Sequence, residues 1–275
     1  MEIQVKEYMM SFDDIVFPDT LFKYRDWSKP TNRSIIADRV VYFAAPSSFE
    51  DQLDCKLPKR WDLLSYEDIL DKYYQDSIEN NAGFSIEEHM EFAIDWANNT
   101  DITNPDFVKI HQEKEFKEHD QRSGVLSLTE YWHLNDLWDK YADYHNGFCV
   151  GFVPEIMLRN MGTAGGKVNY YPELPNIYPA PKHSFSLQMN LQIFSKEEKW
   201  RFEQEYRTYI FKPEPLTIKE RQRKVPAEAY KLIILGANMN EQTTHELVKS
   251  IPKELRHVAI KRATLTNGEI GLVDI

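Results

Sequence analysis

The pattern of apolar and polar positions divides the chain into three blocks. The first reads as strands. Leu21-Phe-Lys-Tyr-Arg25 and Val40-Val-Tyr-Phe-Ala-Ala45 are rich in aromatic and β-branched residues, and Pro46-Ser-Ser closes the second. The second block, residues 60–120, has a helical period and is polar. Ser65 with Asp68 opens one helix, followed by Ile69, Leu70, Tyr73 and Tyr74. Ser85 with Glu88 forms a capping box, and Ile86, Met90, Ala93, Ile94 and Ala97 predict a core-facing stripe. Asn104-Pro105 caps and starts a third helix.

The third block returns to strands. Gly124–Thr129, Phe148–Phe152, Lys167–Tyr171, Tyr206–Phe211, Tyr230–Leu235 and His257–Lys261 all read as extended. Helices are predicted from Asp136 to His145, stopped by Asn146-Gly147, from Ser186 to Glu198, and after the Asn240 cap. Pro172 to Pro181 holds four prolines and predicts an extended loop. Gly162-Thr-Ala-Gly165-Gly166 reads as a flexible turn. Strands and helices mix without βαβ alternation. The expected fold is α+β, with a mixed, largely antiparallel sheet, and residues 60–120 as a helical insertion within one domain, 1–275.

Composition narrows the function. The chain has 275 residues and a formal charge of −11, which disfavours a duplex nucleic-acid partner. Its two cysteines, Cys55 and Cys149, lack metal spacing and suit a reducing cytoplasm. The N-terminus lacks a signal-peptide pattern, and no run nears the ~20 apolar residues of a membrane helix, so a cytoplasmic location is expected. Eight histidines are scattered without HExxH, and no metal site is expected. Walker A, GxGxxG and GxSxG patterns do not occur.

Candidate chemistry concentrates in Phe202-Glu203-Gln-Glu205-Tyr-Arg207. On a strand, Glu203, Glu205 and Arg207 would share one face, the two carboxylates ~7 Å apart. One can stabilise a cationic transition state, the other can take a proton, and Arg207 can pair with either or hold a phosphate. The alternative is an exposed strand start with a surface ion pair. Lys23 and Arg25 end the first strand. Arginine's fork suits a diphosphate, unless it pairs with Asp26 or Asp38. Ser127 and Thr129 present two hydroxyls on one face, for a ribose or a carboxylate, or for a turn. Trp138, Tyr141, Ala142 and His145 lie on one helical face. Such a stripe serves either as core or as ligand platform, and Tyr141 and His145 carry the polar tips. Glu50, Asp51 and Asp54 cluster in a loop, as a cation site or as a cap through Asp51.

In order, these segments are Lys23-Tyr-Arg25, Tyr42–Asp54, Leu126–Glu130, Trp138–Phe152, Phe202–Arg207 and Ile233–Gly236. The series, over about residues 20–240, resembles the bacterial family labelled domain of unknown function twenty-nine seventy-one. Some of its members are associated with phage abortive infection. Glu50-Asp51-Gln52 stands where that family commonly has Asn-Asp-Pro. The set of a basic residue, Ser-x-Thr and Glu-x-Glu is also similar to the Arg / Ser-Thr-Ser / Glu-x-Glu signature of ADP-ribosyltransferases, with Leu128 in place of the central threonine. Those enzymes use a split, mostly antiparallel sheet, often with a helical insertion. The resemblance implies that Arg25, or Lys23, holds the diphosphate of NAD as substrate. Ser127 and Thr129 would order the nicotinamide ribose and the glutamate. Glu205 would bind the ribose 2′-hydroxyl and stabilise an oxocarbenium-like transition state. Glu203 would activate the acceptor, and Tyr141 would stack on nicotinamide. Two further readings stand beside it. One is a non-enzymatic sensor or partner-binding module of a defence system, suited by 6 Trp, 15 Tyr and 15 Phe. The other is a metal-dependent nuclease using Glu50, Asp51 and Asp54 or Glu197-Glu-Lys199.

Overall fold

The computed structural model describes residues 17–161 and 164–275. Along the chain run β1 (Leu21–Arg25), α1 (Pro30–Ala37), β2 (Val40–Tyr42), α2 (Tyr66–Asn80), α3 (Ile86–Asn99), α4 (Pro105–Arg122) and β3 (Ser123–Thr129). Next come α5 (Asn135–Tyr141), β4 (Phe148–Phe152), α6 (Pro154–Met161), β5 (Ala164–Lys167), β6 (Asn169–Tyr171), α7 (Phe185–Phe194) and β7 (Ser195–Glu197). The chain closes with β8 (Glu205–Phe211), α8 (Ile218–Arg221), β9 (Gln222–Lys224), β10 (Tyr230–Leu235), α9 (Glu241–Ser250), β11 (Ala259–Thr266) and β12 (Glu269–Asp274).

The architecture is α+β. Eight strands form one sheet in the order β12-β11-β10-β4-β1-β3-β8-β5, antiparallel except for the β10–β11 pair. Two small sheets, β2-β9 and β6-β7, stand beside it. Strand β4 shows why the sheet is central. Its side chains alternate between two cores. Phe148, Val150 and Phe152 join Ile36 of α1, Met157 of α6 and Leu247 of α9 on one face. Cys149 joins Tyr24, Ile234 and Trp138 of α5 on the other. Cys55 and Cys149 are free and buried. No helix among the described residues is long and apolar enough to cross a membrane.

The capping residues act as the sequence implies. Ser65 with Asp68 and Ser85 with Glu88 form reciprocal capping boxes, and Asn104 accepts from the Asp106 N–H before Pro105. The α3 stripe is a correction. Ala93 and Ala97 are buried with His89, but Ile86, Met90 and Ile94 are exposed. They sit one residue on from the buried line, turned ~100° from it, and a two-helix layer covers only one face.

Other boundaries shift where tertiary contacts overrule local pattern. The expected 186–198 helix stops at Phe194, because Ser195–Glu197 pairs in parallel with β6. The expected 136–145 helix stops at Tyr141. Asp143, Tyr144 and His145 take left-handed φ of 49°, 51° and 66°. The strand at 167–171 divides at Val168, whose N–H bonds Glu205 O at 3.0 Å. Strand β2 ends at Tyr42 rather than Ala45, and β11 starts at Ala259 and runs on to Thr266. Gly162 and Thr163 of the expected turn lie outside the described residues, and Ala164–Lys167 is strand rather than turn.

Candidate functional site

A gap in the sheet makes the site. Strand β1 pairs with β4 over its whole length, and β3 pairs with β8 over all seven residues. Between β1 and β3 only Phe22 and Thr129 are in register. Past that point the two strands diverge. The free edge of β3 is taken at Val125 by Ala44, through N–H···O bonds of 2.8 and 2.9 Å. The wedge encloses a cavity of about 330 Å³, within the range of small-molecule sites. Lys23 and Arg25 form one wall, Ser127 and Thr129 the β3 side, and Asp54, Lys196, Glu203 and Glu205 the other wall. Phe49, Glu50, Lys140, Tyr141 and Trp200 are also among its lining residues.

The β8 wall is a buried ionic network. Arg207 Nε donates to Glu205 Oε1 at 2.8 Å and its Nη2 to Glu205 Oε2 at 2.7 Å, a bidentate pair. Nη2 also donates to Asp54 Oδ2 at 2.8 Å, and Nη1 to Ile193 O at 2.7 Å and Cys55 Sγ at 3.3 Å. Lys196 Nζ meets three carboxylates: Glu203 at 2.6 Å, Glu205 at 3.1 Å and Asp54 at 3.2 Å. Burial alone would raise the Glu205 carboxyl. The Arg207 and Lys196 charges, with hydrogen bonds from Arg207 and Ser127, hold it far below the ordinary carboxylate range. Burial would lower the Lys196 ammonium, and Glu205, Asp54 and Glu203 raise it instead. Both groups are charged at neutral pH.

The β1 wall is built differently. Lys23 and Arg25 project to the same side of the strand, two residues apart. Lys23 Nζ donates to the carbonyl of Ser127, filling the acceptor that the unzipped β1–β3 ladder leaves open. Arg25 Nη1 reaches only its neighbour's carbonyl, Tyr24 O, at 3.5 Å. Among the described residues neither side chain pairs with a carboxylate. Asp26 instead accepts from Ser28 N–H at 2.8 Å and pairs with Lys29 at 3.6 Å. Burial first, then the Arg25 charge, pushes Lys23 well below the usual lysine value. Burial lowers Arg25 to about 10, so it stays charged. Gly147 seats the end of this wall: a Cβ there would lie 2.2 Å from Arg25 O.

The expected site residues divide accordingly. Lys23, Arg25, Ser127, Thr129, Tyr141, Glu203 and Glu205 line the one cavity, and Arg207 backs its wall. His145 does not line it. It leaves the helical face in the left-handed turn and stacks on Trp138, ring centroids 5.1 Å apart. Glu203 is not on the strand with Glu205. It ends a short 3-10 segment, Glu198–Glu203, and Gln204 turns at φ 43° before β8 begins. The two acids still meet, at the Lys196 ammonium. They are buried, at 4% and 6% exposure, so the pair is not a surface one. Tyr141 OH donates to Glu203 Oε1 at 2.8 Å, and Thr129 Oγ1 donates to Gln204 O at 3.1 Å, fixing that turn.

Asp54 and Lys196 line the cavity, although the sequence assigned them elsewhere. Asp54 looked like a loop carboxylate, and Lys196 fell inside an expected helix. The loop acids do not converge on a cation site. Asp54 is held by Arg207 and Lys196, Glu50 pairs with Lys140 at 3.3 Å, and Asp51 Oδ1 accepts from Leu53 N–H at 3.1 Å. Among the described residues no group of three or more His, Cys, Asp or Glu could hold a metal ion.

No family model matches the chain, and neither a curated protein nor a solved structure shows significant similarity to it. What the site can do follows from its own chemistry. It offers two basic side chains with no ion-pair partner on one side, an ionised carboxylate on the other, and hydroxyls between.

Proposed function

We propose that the chain is a cytoplasmic enzyme that consumes NAD, cleaving the nicotinamide–ribose bond as ADP-ribosyltransferases and NAD glycohydrolases do. The observation that carries this reading is the convergence of Arg25, Ser127 and Glu205, from three neighbouring strands, on one cavity. The resemblance of Arg25, Ser127-x-Thr129 and Glu203-x-Glu205 to the ADP-ribosyltransferase signature points the same way, and so does the parted sheet.

In this reading Arg25 and Lys23 hold the diphosphate. The bond from ribose C1′ to the pyridinium nitrogen breaks, and its electron pair leaves with neutral nicotinamide. The positive charge that develops on the ribose faces Glu205, which Arg207 and Lys196 keep ionised. The 2′-hydroxyl takes the place of the Ser127 hydroxyl at that carboxylate. Water or an acceptor hydroxyl, amine or guanidine adds at C1′ and releases one proton. Glu203, bonded to Tyr141, stands on the acceptor side, and the Tyr141 ring flanks the nicotinamide.

Purified protein incubated with NAD, with and without cell extract, is expected to release nicotinamide, and Glu205→Gln is expected to abolish release in a protein that remains folded by circular dichroism. Release by that variant at the parent rate, or none by the parent under either condition, contradicts the reading.

A further inference from the structure

Helices α2 and α3 form an antiparallel hairpin. Its seam is closed by Ser77 Oγ and His89 Nδ1, 2.8 Å apart, and by the buried Ile69, Ala93 and Ala97. One residue beyond that seam each helix carries an apolar line at i, i+4 and i+8: Leu70, Tyr74 and Ile78 on α2, and Ile86, Met90 and Ile94 on α3. In an antiparallel pair one step along each helix rotates both lines to the same side of the hairpin. Leu70 and Tyr74 are half-buried, Leu70 against the cluster of Trp61, Ile69 and Val108, and the rest of that side is open: Ile78 is 42% exposed, Ile86 72%, Met90 40% and Ile94 42%. Isolated exposed apolar residues need no explanation, but a contiguous set on two helices marks a contact surface.

Charge selects what covers it. The next step along each helix brings Asp71 and Glu79 to one outer edge and Glu87, Glu91 and Asp95 to the other, all exposed. The two helices carry nine acidic residues and one lysine, Lys72, which Asp76 already binds at 2.6 Å. A second copy would set these acidic edges against each other. Residues 1–16 of this chain, with Glu2, Glu7, Asp13 and Asp14 against Lys6, carry the same sign. We infer that the α2–α3 face docks a basic amphipathic helix of a partner protein, its apolar side on the Ile86–Met90–Ile94 line and its Lys and Arg residues against the acidic edges. This does not depend on the reading of the cavity.

The test titrates the whole protein with a Leu/Lys amphipathic peptide about 18 residues long, five helical turns, and with its Leu/Glu counterpart. Saturable one-to-one binding of the Lys peptide is expected, weakened by salt, with slowed peroxide oxidation of Met90 in the complex. Ile86→Ser with Ile94→Ser should lower affinity by at least about tenfold, a hot-spot loss, and leave the thermal melt unchanged. Glu87→Lys with Glu91→Lys should weaken binding as well. Equal affinity for the two peptides, or parental affinity in the Ile86→Ser/Ile94→Ser protein, overturns the inference. Self-association that those substitutions remove assigns the face to a second copy and overturns it too. So does protection of Met90 in the free protein that vanishes when residues 1–16 are deleted.

Discussion

On the β8 side of the cavity Lys196 and Arg207 are bound by carboxylates. On the β1 side Lys23 and Arg25 touch only backbone carbonyls. Both walls are half-buried or buried, and both come from the sheet that frames one cavity. The difference lies in strand pairing. Strand β8 is paired on both edges, by β3 and β5, so its side chains lie against Asp54 of the neighbouring loop and Lys196 of β7. Strand β1 is paired with β4 but parts from β3, so its cations face the gap. Charges saturated by partners build a rigid wall. Charges held near a cavity without counter-ions are the ones an anionic ligand can satisfy, because binding there relieves a desolvation cost that the protein already carries.

Breaking the β8 wall should have the largest effect. Arg207→Met removes the bidentate partner of Glu205 and leaves that acid and Asp54, both buried, with Lys196 as their remaining shared cation, and urea unfolding should register a loss of about 3–5 kcal/mol. The matching change on the β1 wall, Lys23→Met, removes one bond to Ser127 O and no ion pair. Its cost should stay within about 1 kcal/mol by the same measurement. Equal costs for the two would erase the comparison.

Smaller effects follow from pH, and the walls differ in their windows. The Glu205 carboxyl is lowered on folding, from 4.5. Its stabilisation is present above pH 4.5 and drains away as pH falls toward the folded value. The Glu205→Gln protein should lose less stability in that acid range than the parent. Lys23 is also lowered, from 10.5, but it is a base, so folding weakens its hold on a proton. The unfolded chain then binds the extra proton, so stability rises with pH up to about 10.5. Lys23→Met should flatten this alkaline rise. A third window belongs to His119, away from both walls. Burial pushes it down to about 4 from 6.5. Stability should therefore decline as pH falls through that interval, and His119→Gln should blunt the decline in a thermal-melt series.

Much of the frame was legible in the sequence. The apolar runs at Leu21–Arg25, Phe148–Phe152 and Tyr230–Leu235 mark strands with the bounds found, because each is buried in the central sheet where pattern and packing agree. The caps at Ser65, Ser85, Asn104 and Asn240 are local devices and act locally. The α1 and α6 helices and the β9 and β12 strands were missed. Strand β9 is three residues long and takes its pairing from distant β2, whereas β12 follows β11 across Asn267-Gly268, both at positive φ, so that its hairpin signal was present locally. In the site, Glu205, Ser127 and Arg25 could be named from residue type and alternation. Lys196 could not, since its role comes from a three-residue strand formed only by pairing with β6. The gap between β1 and β3 was equally hidden, because no residue in either strand encodes the absence of a ladder. His145 was misplaced because helical spacing was extended through a left-handed turn.

The most direct test of the two-wall account is isothermal titration of ADP-ribose into the parent protein and into Arg25→Ala, with the unfolding free energy of each measured in parallel. The account predicts at least about a tenfold weaker affinity in Arg25→Ala, with stability held or slightly increased because a half-buried guanidinium without an ion-pair partner is gone. Undiminished ADP-ribose affinity in Arg25→Ala, or a fall in stability as large as that of Arg207→Met, would contradict it.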